Sequence, residues 1–279
     1  MTIFNSVADC ILYFETCKKA FPVLNEIVKP GDFKGWVRKL EFYANPSLDD
    51  YFFTINPSRN LLYISVATGW GLLTHQESEP LKLYRSMLGK LSLYLQNFPE
   101  LKANRSFRGK VQNLNELGLL PTLSELSLAY QLAARGEEVK FETKFTRADT
   151  GTVKDVDLTA TDGNGTVVHY EVYMPNKDLE VEGFFDLNQD DTHFADRIKA
   201  KLLDKFGNGV VNELEGSTLL AINTAFCATL RLKNALALAA TNDAWLRTLI
   251  PQHMDGLLLF DDDFETDDSF TFVRRLMKA

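Results

Sequence analysis

Cysteine is scarce, with three residues (Cys10, Cys17 and Cys227) in a chain of 279. An odd count without Cys-x-x-Cys or Cys/His metal spacing excludes a disulfide framework and leaves three reduced, mostly buried thiols. Histidine is nearly as rare, and His75, His193 and His253 show no metal-ligand spacing. Apolar runs are short. The longest uncharged stretches, Asn60–Gln76 and Gly216–Leu230, fall below the roughly 20 residues of a membrane span and carry polar groups. Asp9, Glu15, Lys18 and Lys19 interrupt the first twenty residues, where a secretory signal needs a continuous apolar core. No membrane association is expected, and the expected location is the cytoplasm. Basic charge is also in deficit, at 30 Lys+Arg against 38 Asp+Glu. Wholesale attraction to a polyanion is thereby excluded. No Gly-Lys-Ser/Thr follows Gly69-Trp70-Gly71, so a phosphate loop is absent, and there is no Gly-x-Ser-x-Gly elbow.

What remains is an ordinary globular composition, 45% hydrophobic and 24% charged, long enough for about two domains at roughly 150 residues each. The charge is uneven. Residues 1–110 hold 14 basic against 10 acidic residues, a balance of +4, whereas residues 111–279 hold 16 against 28, a balance of −12. The first region reads as mainly helical, with Phe4, Val7, Ile11 and Phe14 at helical spacing and Leu83, Met87, Leu91 and Leu95 striping a helix over Glu79–Phe98. Asn60–Gly71 reads as a short strand or buried loop. The many aromatics of residues 1–110 (Phe33, Trp36, Phe42, Tyr43, Tyr51, Phe52, Phe53) read as core packing ahead of base stacking.

Beyond Gly118 the pattern changes. Thr122–Arg135 reads as a helix, with Thr122 and Glu125 forming a capping box and Gly136 the stop. Strands are predicted at Glu138–Phe145, Val153–Thr161 and Val167–Met174, the last two joined by the hairpin turn Asp162-Gly163-Asn164-Gly165. A helix over Thr192–Phe206, a strand at Leu219–Asn223, a helix near Leu232–Leu249 and strands at Met254–Phe260 and Phe270–Arg274 follow. The acidic stretch Asp261–Asp268 reads as a solvated loop. This order implies an α/β fold with a mixed central sheet flanked by helices. The predicted domains are a mainly helical region, 1–110, and an α/β domain, 111–279.

Three acids stand out: Glu125 on the first helix, Asp157 mid-strand in Val-Asp-Leu-Thr-Ala, and Glu171 in His-Tyr-Glu-Val-Tyr on the next strand. Carboxylates are depleted from strands, and burying one unpaired costs several kcal/mol. A divalent cation offsets that cost, and Mg²⁺ takes one or two carboxylates together with waters and substrate phosphate oxygens. His169 shares a strand face with Glu171 and reads as a packed histidine.

On these residues the chain resembles the PD-(D/E)XK nuclease-like superfamily over roughly 115–260, with a restriction-endonuclease-like fold implied. The resemblance implies metal roles for Glu125, Asp157 and Glu171, Mg²⁺ or Mn²⁺ as cofactor, and nucleic acid, DNA in the first instance, as substrate. In that family a Lys two residues after the Glu orients or activates the attacking water; here that position is Tyr173, which brings no fixed positive charge. Two replacements are available. Lys177 lies about 13 Å further along an extended strand, and Pro175 favours a bend. Arg197, Lys201 and Lys205 form an i, i+4, i+8 row on the following helix. Lys201 is the expected donor from that row, which otherwise reads as a wet helix face or a set of phosphate contacts. Residues 1–110 would contact substrate, a second copy in a homodimer, or a protein partner. The alternative is the same fold kept as a non-catalytic nucleic-acid-binding or protein-interaction scaffold.

Overall fold

The computed structural model describes residues 6–43, 60–113, 119–174, 200, 202–207, 214–225, 247, 250 and 254–278. The chain divides into two units, one comprising Met1–Leu123 and Phe264–Asp268, the other Ser124–Asp263 and Ser269–Ala279. Among the described residues no helix is long and apolar enough to cross a membrane.

The first unit is helical: α1 (Val7–Ala20), α2 (Val23–Ile27), α3 (Pro30–Tyr43), α4 (Leu61–Thr74), α5 (Glu79–Asn97), a 3₁₀ turn (Pro99–Lys102) and α6 (Arg105–Val111). Ser6 caps α1 by accepting the Asp9 N–H at 3.1 Å, and the helix buries Cys10, Phe14 and Cys17. Burial pushes both thiols up to about 12, which keeps them protonated and unreactive at neutral pH. Cys227 lies outside the described residues. Phe14 stacks on Phe33 at 4.9 Å and meets Trp36 edge-on at 5.6 Å, so these two aromatics serve the core. Tyr51, Phe52 and Phe53, and the side chains of Phe42 and Tyr43, lie outside the described set.

Asn60–Gly71 is neither strand nor loop; it forms most of α4. β-branched Ile64, Val66 and Thr68 favour a strand locally, but Asn60 caps a helix by accepting the Tyr63 N–H at 2.8 Å. Leu61, Ile64, Val66, Ala67 and Gly69 are all buried. A helix buried on every side shows no 3.6-residue stripe, which removes the periodic signal. Helix α5 follows its prediction closely, and Met87, Leu91 and Leu95 of its stripe are buried. The acidic stretch departs from a solvated loop at two points. Phe264 is fully buried beneath the Lys90 ammonium, 5.6 Å from the ring centre, and Asp262 is fully buried in the second unit.

The second unit is built on one six-stranded mixed sheet in the order β1 (Glu138–Thr146), β2 (Val153–Thr161), β3 (Val167–Tyr173), β4 (Ser217–Asn223), β5 (Gly256–Asp261), β6 (Thr271–Met277). The β1–β2, β2–β3 and β5–β6 pairs are antiparallel, and β3–β4 and β4–β5 are parallel. The β2–β3 turn forms as predicted: Asp162 Oδ1 accepts the Asn164 and Thr166 N–H groups, each at 2.8 Å, and Gly165 takes φ +82°. Register places Glu171 beside Leu220, and Leu220 beside Leu257, on one face. There Leu202 and Phe206, from the helix at 200–206, join Leu220, Ile222, Leu257 and Leu259 in a buried cluster.

Helix α7 (Leu119–Ala134) packs on the other face. Asn223 and Asp262, each one residue beyond the cluster's parity, receive its serines: Asn223 Nδ2 donates to Ser124 Oγ at 2.9 Å, and Ser127 Oγ donates to Asp262 Oδ2. The helix ends in a Schellman motif at Gly136 (φ +86°), with Gly136 N–H on the Ala133 carbonyl at 2.9 Å and Glu137 N–H on the Leu132 carbonyl at 3.2 Å. It starts at least three residues before Thr122, which is itself buried, so the Thr122/Glu125 capping box does not form. The predicted helix at 192–206 is described only at 200 and 202–206, and the one near 232–249 only at residue 247.

A Cβ added at Gly69 would overlap the Tyr13 carbonyl oxygen, because α1 and α4 touch backbone to backbone there. Gly69→Ala is therefore expected to destabilise the first unit by about 2 kcal/mol or more, read as a lowered midpoint in thermal or urea unfolding.

Candidate functional site

The β2–β3 ladder pairs Leu158–Thr161 with Val167–Tyr170 and stops there, although β2 begins at Val153 and β3 continues to Tyr173. The strands fork at the next position, which is occupied by Asp157 on one strand and Glu171 on the other. On the opposite flank β2 is loosened as well. Glu142, the β1 residue that would face Asp157, drops out of the register between Phe141 and Thr143 and takes the left-handed φ of +55°. A non-glycine residue there costs roughly 1–2 kcal/mol, a strain located beside the site. Asp157 Oδ2 accepts the Val172 N–H at 2.8 Å, so the carboxylate replaces the backbone acceptor that the fork removes.

Glu171 is fully buried and Asp157 is 7% exposed. Two carboxylates side by side in a sheet interior demand a cation, and Lys205 supplies one. Its Nζ donates to Asp157 Oδ1 at 3.0 Å and to Glu171 Oε2. Burial alone would pull the ammonium's pKa down, but the charges of Asp157 and Glu171 outweigh it and raise the pKa above the ordinary lysine value. The lysine's place is set by the β1–β2 hairpin. Arg147 Nη1 donates to the Asp204 carbonyl at 2.7 Å while its Nε holds Asp149 Oδ1 at 2.9 Å. Gly207, at φ +71°, ends the helix against Asp149, where a side chain would collide.

Of the sequence-predicted residues, the structure brings together Asp157 and Glu171 and adds Lys205 in a different role from the one expected. Lys205 reads from sequence as a wet-face or phosphate-contacting residue; here its side chain is 15% exposed and turned into the fork. Lys201, Lys177 and Arg197 lie outside the described residues. Tyr173, at the family's lysine position, lies beside Ile222 in register, and its ring packs against the apolar cluster with Leu202 and Phe206. Glu125 is half-buried and follows Ser124 on α7, the helix of the other face. Among the described residues no group of three His, Cys, Asp or Glu side chains is placed to hold a metal ion. The two strand acids fit a hard divalent cation as donors: both carboxylates reach one ammonium, so both can reach a single ion, and carboxylate oxygens are what Mg²⁺ and Mn²⁺ take.

His169 is 3% exposed and packed. Its Nε2–H donates to the Glu215 carbonyl at 2.8 Å, while Nδ1 meets Thr159 Oγ1 at 2.8 Å and Thr159 in turn bonds Thr143 at 2.6 Å. Burial lowers its pKa below the ordinary 6.5, against a smaller opposing effect of the Glu215 carbonyl.

Two predictions follow from these environments. The unfolded chain protonates His169 near 6.5 and the folded chain only at lower pH, so this residue's contribution to stability is present above that value and is lost on acidification. Urea midpoints at pH 7.5 and 5.5 should show the drop, and His169→Gln should reduce it. Lys205→Met leaves two buried carboxylates without their shared cation and should cost about 3–5 kcal/mol at neutral pH, again read from urea unfolding. Comparison with known protein families, with curated proteins and with solved structures finds no match to this chain.

Proposed function

We propose that this chain is a metal-dependent nucleic-acid phosphodiesterase of endonuclease type, acting on DNA. The observation that supports this most is the fork between β2 and β3, where the sheet opens at an Asp, a Glu and a Lys that share hydrogen bonds. That is the residue set of the PD-(D/E)XK resemblance, with the lysine drawn from the helix at 200–206 in place of Tyr173.

Asp157 and Glu171 would hold Mg²⁺ or Mn²⁺, which when bound polarises a phosphodiester and lowers the pKa of an attacking water. The Val172 N–H fixes the Asp157 carboxylate from behind, so its Oδ1 keeps a constant aim. Lys205 brings the fixed positive charge that Tyr173 does not, suited to the charge that develops on phosphoryl oxygens. The second unit is acidic overall, so long-range attraction for DNA would come from residues 1–110, where basic residues are in excess.

The rival reading is the same fold as a non-catalytic scaffold. It is favoured by one observation: Asp157 is already bonded to Val172, and both acids already share Lys205.

Plasmid and linear DNA incubated with the purified full chain and Mg²⁺ or Mn²⁺ test the proposal. Cleavage is expected, with Asp157→Ala and Glu171→Ala each lowering the rate at least about 100-fold. Equal cleavage by all three proteins would remove the metal-centre assignment, and absence of both cleavage and Mn²⁺ binding would favour the scaffold.

A further inference from the structure

We propose that Lys205 is a latch on the fork: its ammonium and a divalent cation are mutually exclusive partners of Asp157 and Glu171, and a metal ion enters only by displacing the lysine. This deepens the metal-centre proposal and rests on it.

The Asp157 and Glu171 oxygens that point at one common place, Oδ1 and Oε2, are those the ammonium already uses. Nζ lies 3.0 Å from Asp157 Oδ1 and also bonds Glu171 Oε2. An ion bound by both oxygens at about 2.1 Å would sit where the ammonium now is. With Glu171 fully buried and Lys205 largely so, little water is present to screen a unit charge from a doubly charged ion a few ångströms away. One of the two cations must leave.

The lysine can leave without unfolding its helix. The helix end is tied at the backbone, through Arg147 on the Asp204 carbonyl and the Gly207 N–H on the Leu203 carbonyl at 2.8 Å. Those ties do not involve the four-carbon stem of Lys205. Displacement is then a side-chain swing about a fixed Cα. The swung ammonium stays within a side chain's length of the ion, placed to meet an anion such as a phosphate that joins it. The resting fork is neutralised by protein alone, and the lysine is returned to solvent or substrate when the ion arrives.

Calorimetric titration of Mn²⁺ into the wild-type chain, Lys205→Met and Asp157→Asn tests this. Removing the competing charge should tighten Mn²⁺ binding at least about tenfold in Lys205→Met, while Asp157→Asn should abolish it. Equal or weaker binding by a folded Lys205→Met, with wild type binding normally, overturns the latch and leaves the metal centre standing. Absence of Mn²⁺ binding in both wild type and Lys205→Met overturns the latch and the metal centre together. If Lys205→Met does not fold, the side-chain ammonium resonance of Lys205 in the wild-type chain gives the answer by NMR with Mg²⁺. A shifted, solvent-exchanging signal at saturation supports displacement, and an unchanged, protected signal overturns it.

Discussion

Two carboxylates on adjacent strands of a sheet interior cannot both stay charged and dry unless a cation offsets them, and the β2–β3 fork and the helix end beside it meet that requirement together. The Lys205 ammonium meets it, at the end of a helix whose Leu202 and Phe206 are buried on the same face as Glu171. The lysine's reach is fixed by apolar packing on one side and by the Arg147 hairpin on the other. Ion pairs of this kind contribute little net stability, because desolvation offsets the attraction.

Opening of the sheet at this point has a local cause. β2 departs from the register of both neighbours at one residue: the β3 ladder ends at Leu158, and Glu142 of β1 is skipped between Phe141 and Thr143. Asp157 stands in the gap and returns one oxygen to the backbone of β3. The far face is braced differently. Asn223, Ser124, Ser127, Ser269 and Asp262 form a connected hydrogen-bonded set that ties α7 to the ends of β4 and β5. One face of the sheet thus carries an ionic cluster and the other a hydrogen-bonded polar one, with the buried strands between them.

Strand positions were the most legible feature of the sequence. Val153–Thr161 is bounded by turn residues and rich in β-formers, and it matches the observed strand end to end. Asp157 and Glu171 were legible too, since charge in the middle of apolar strands violates propensity and needs a reason. Helix α4 was not, because burial on all sides erases periodicity. Lys205 was visible only as one member of a basic row. Which turn of that helix meets the fork depends on the path from β3 to the helix, and local sequence does not encode that path. Asp262 was hidden within a run of acids that look alike until the fold buries one of them.

The five residues Phe264–Asp268 belong to the first unit, while the chain on either side of them belongs to the second. Asp262 and Ser269, joined at 2.5 Å, close the neck of this excursion. The polypeptide therefore crosses the division three times, after Leu123, after Asp263 and after Asp268. No single cut can yield both units intact. A fragment ending at residue 123 would lack Phe264, one of the largest fully buried side chains, and the remaining piece would carry that ring with nothing of its own unit to cover it. The two parts are interlaced in sequence, so neither can be cut away from the other at one point of the chain.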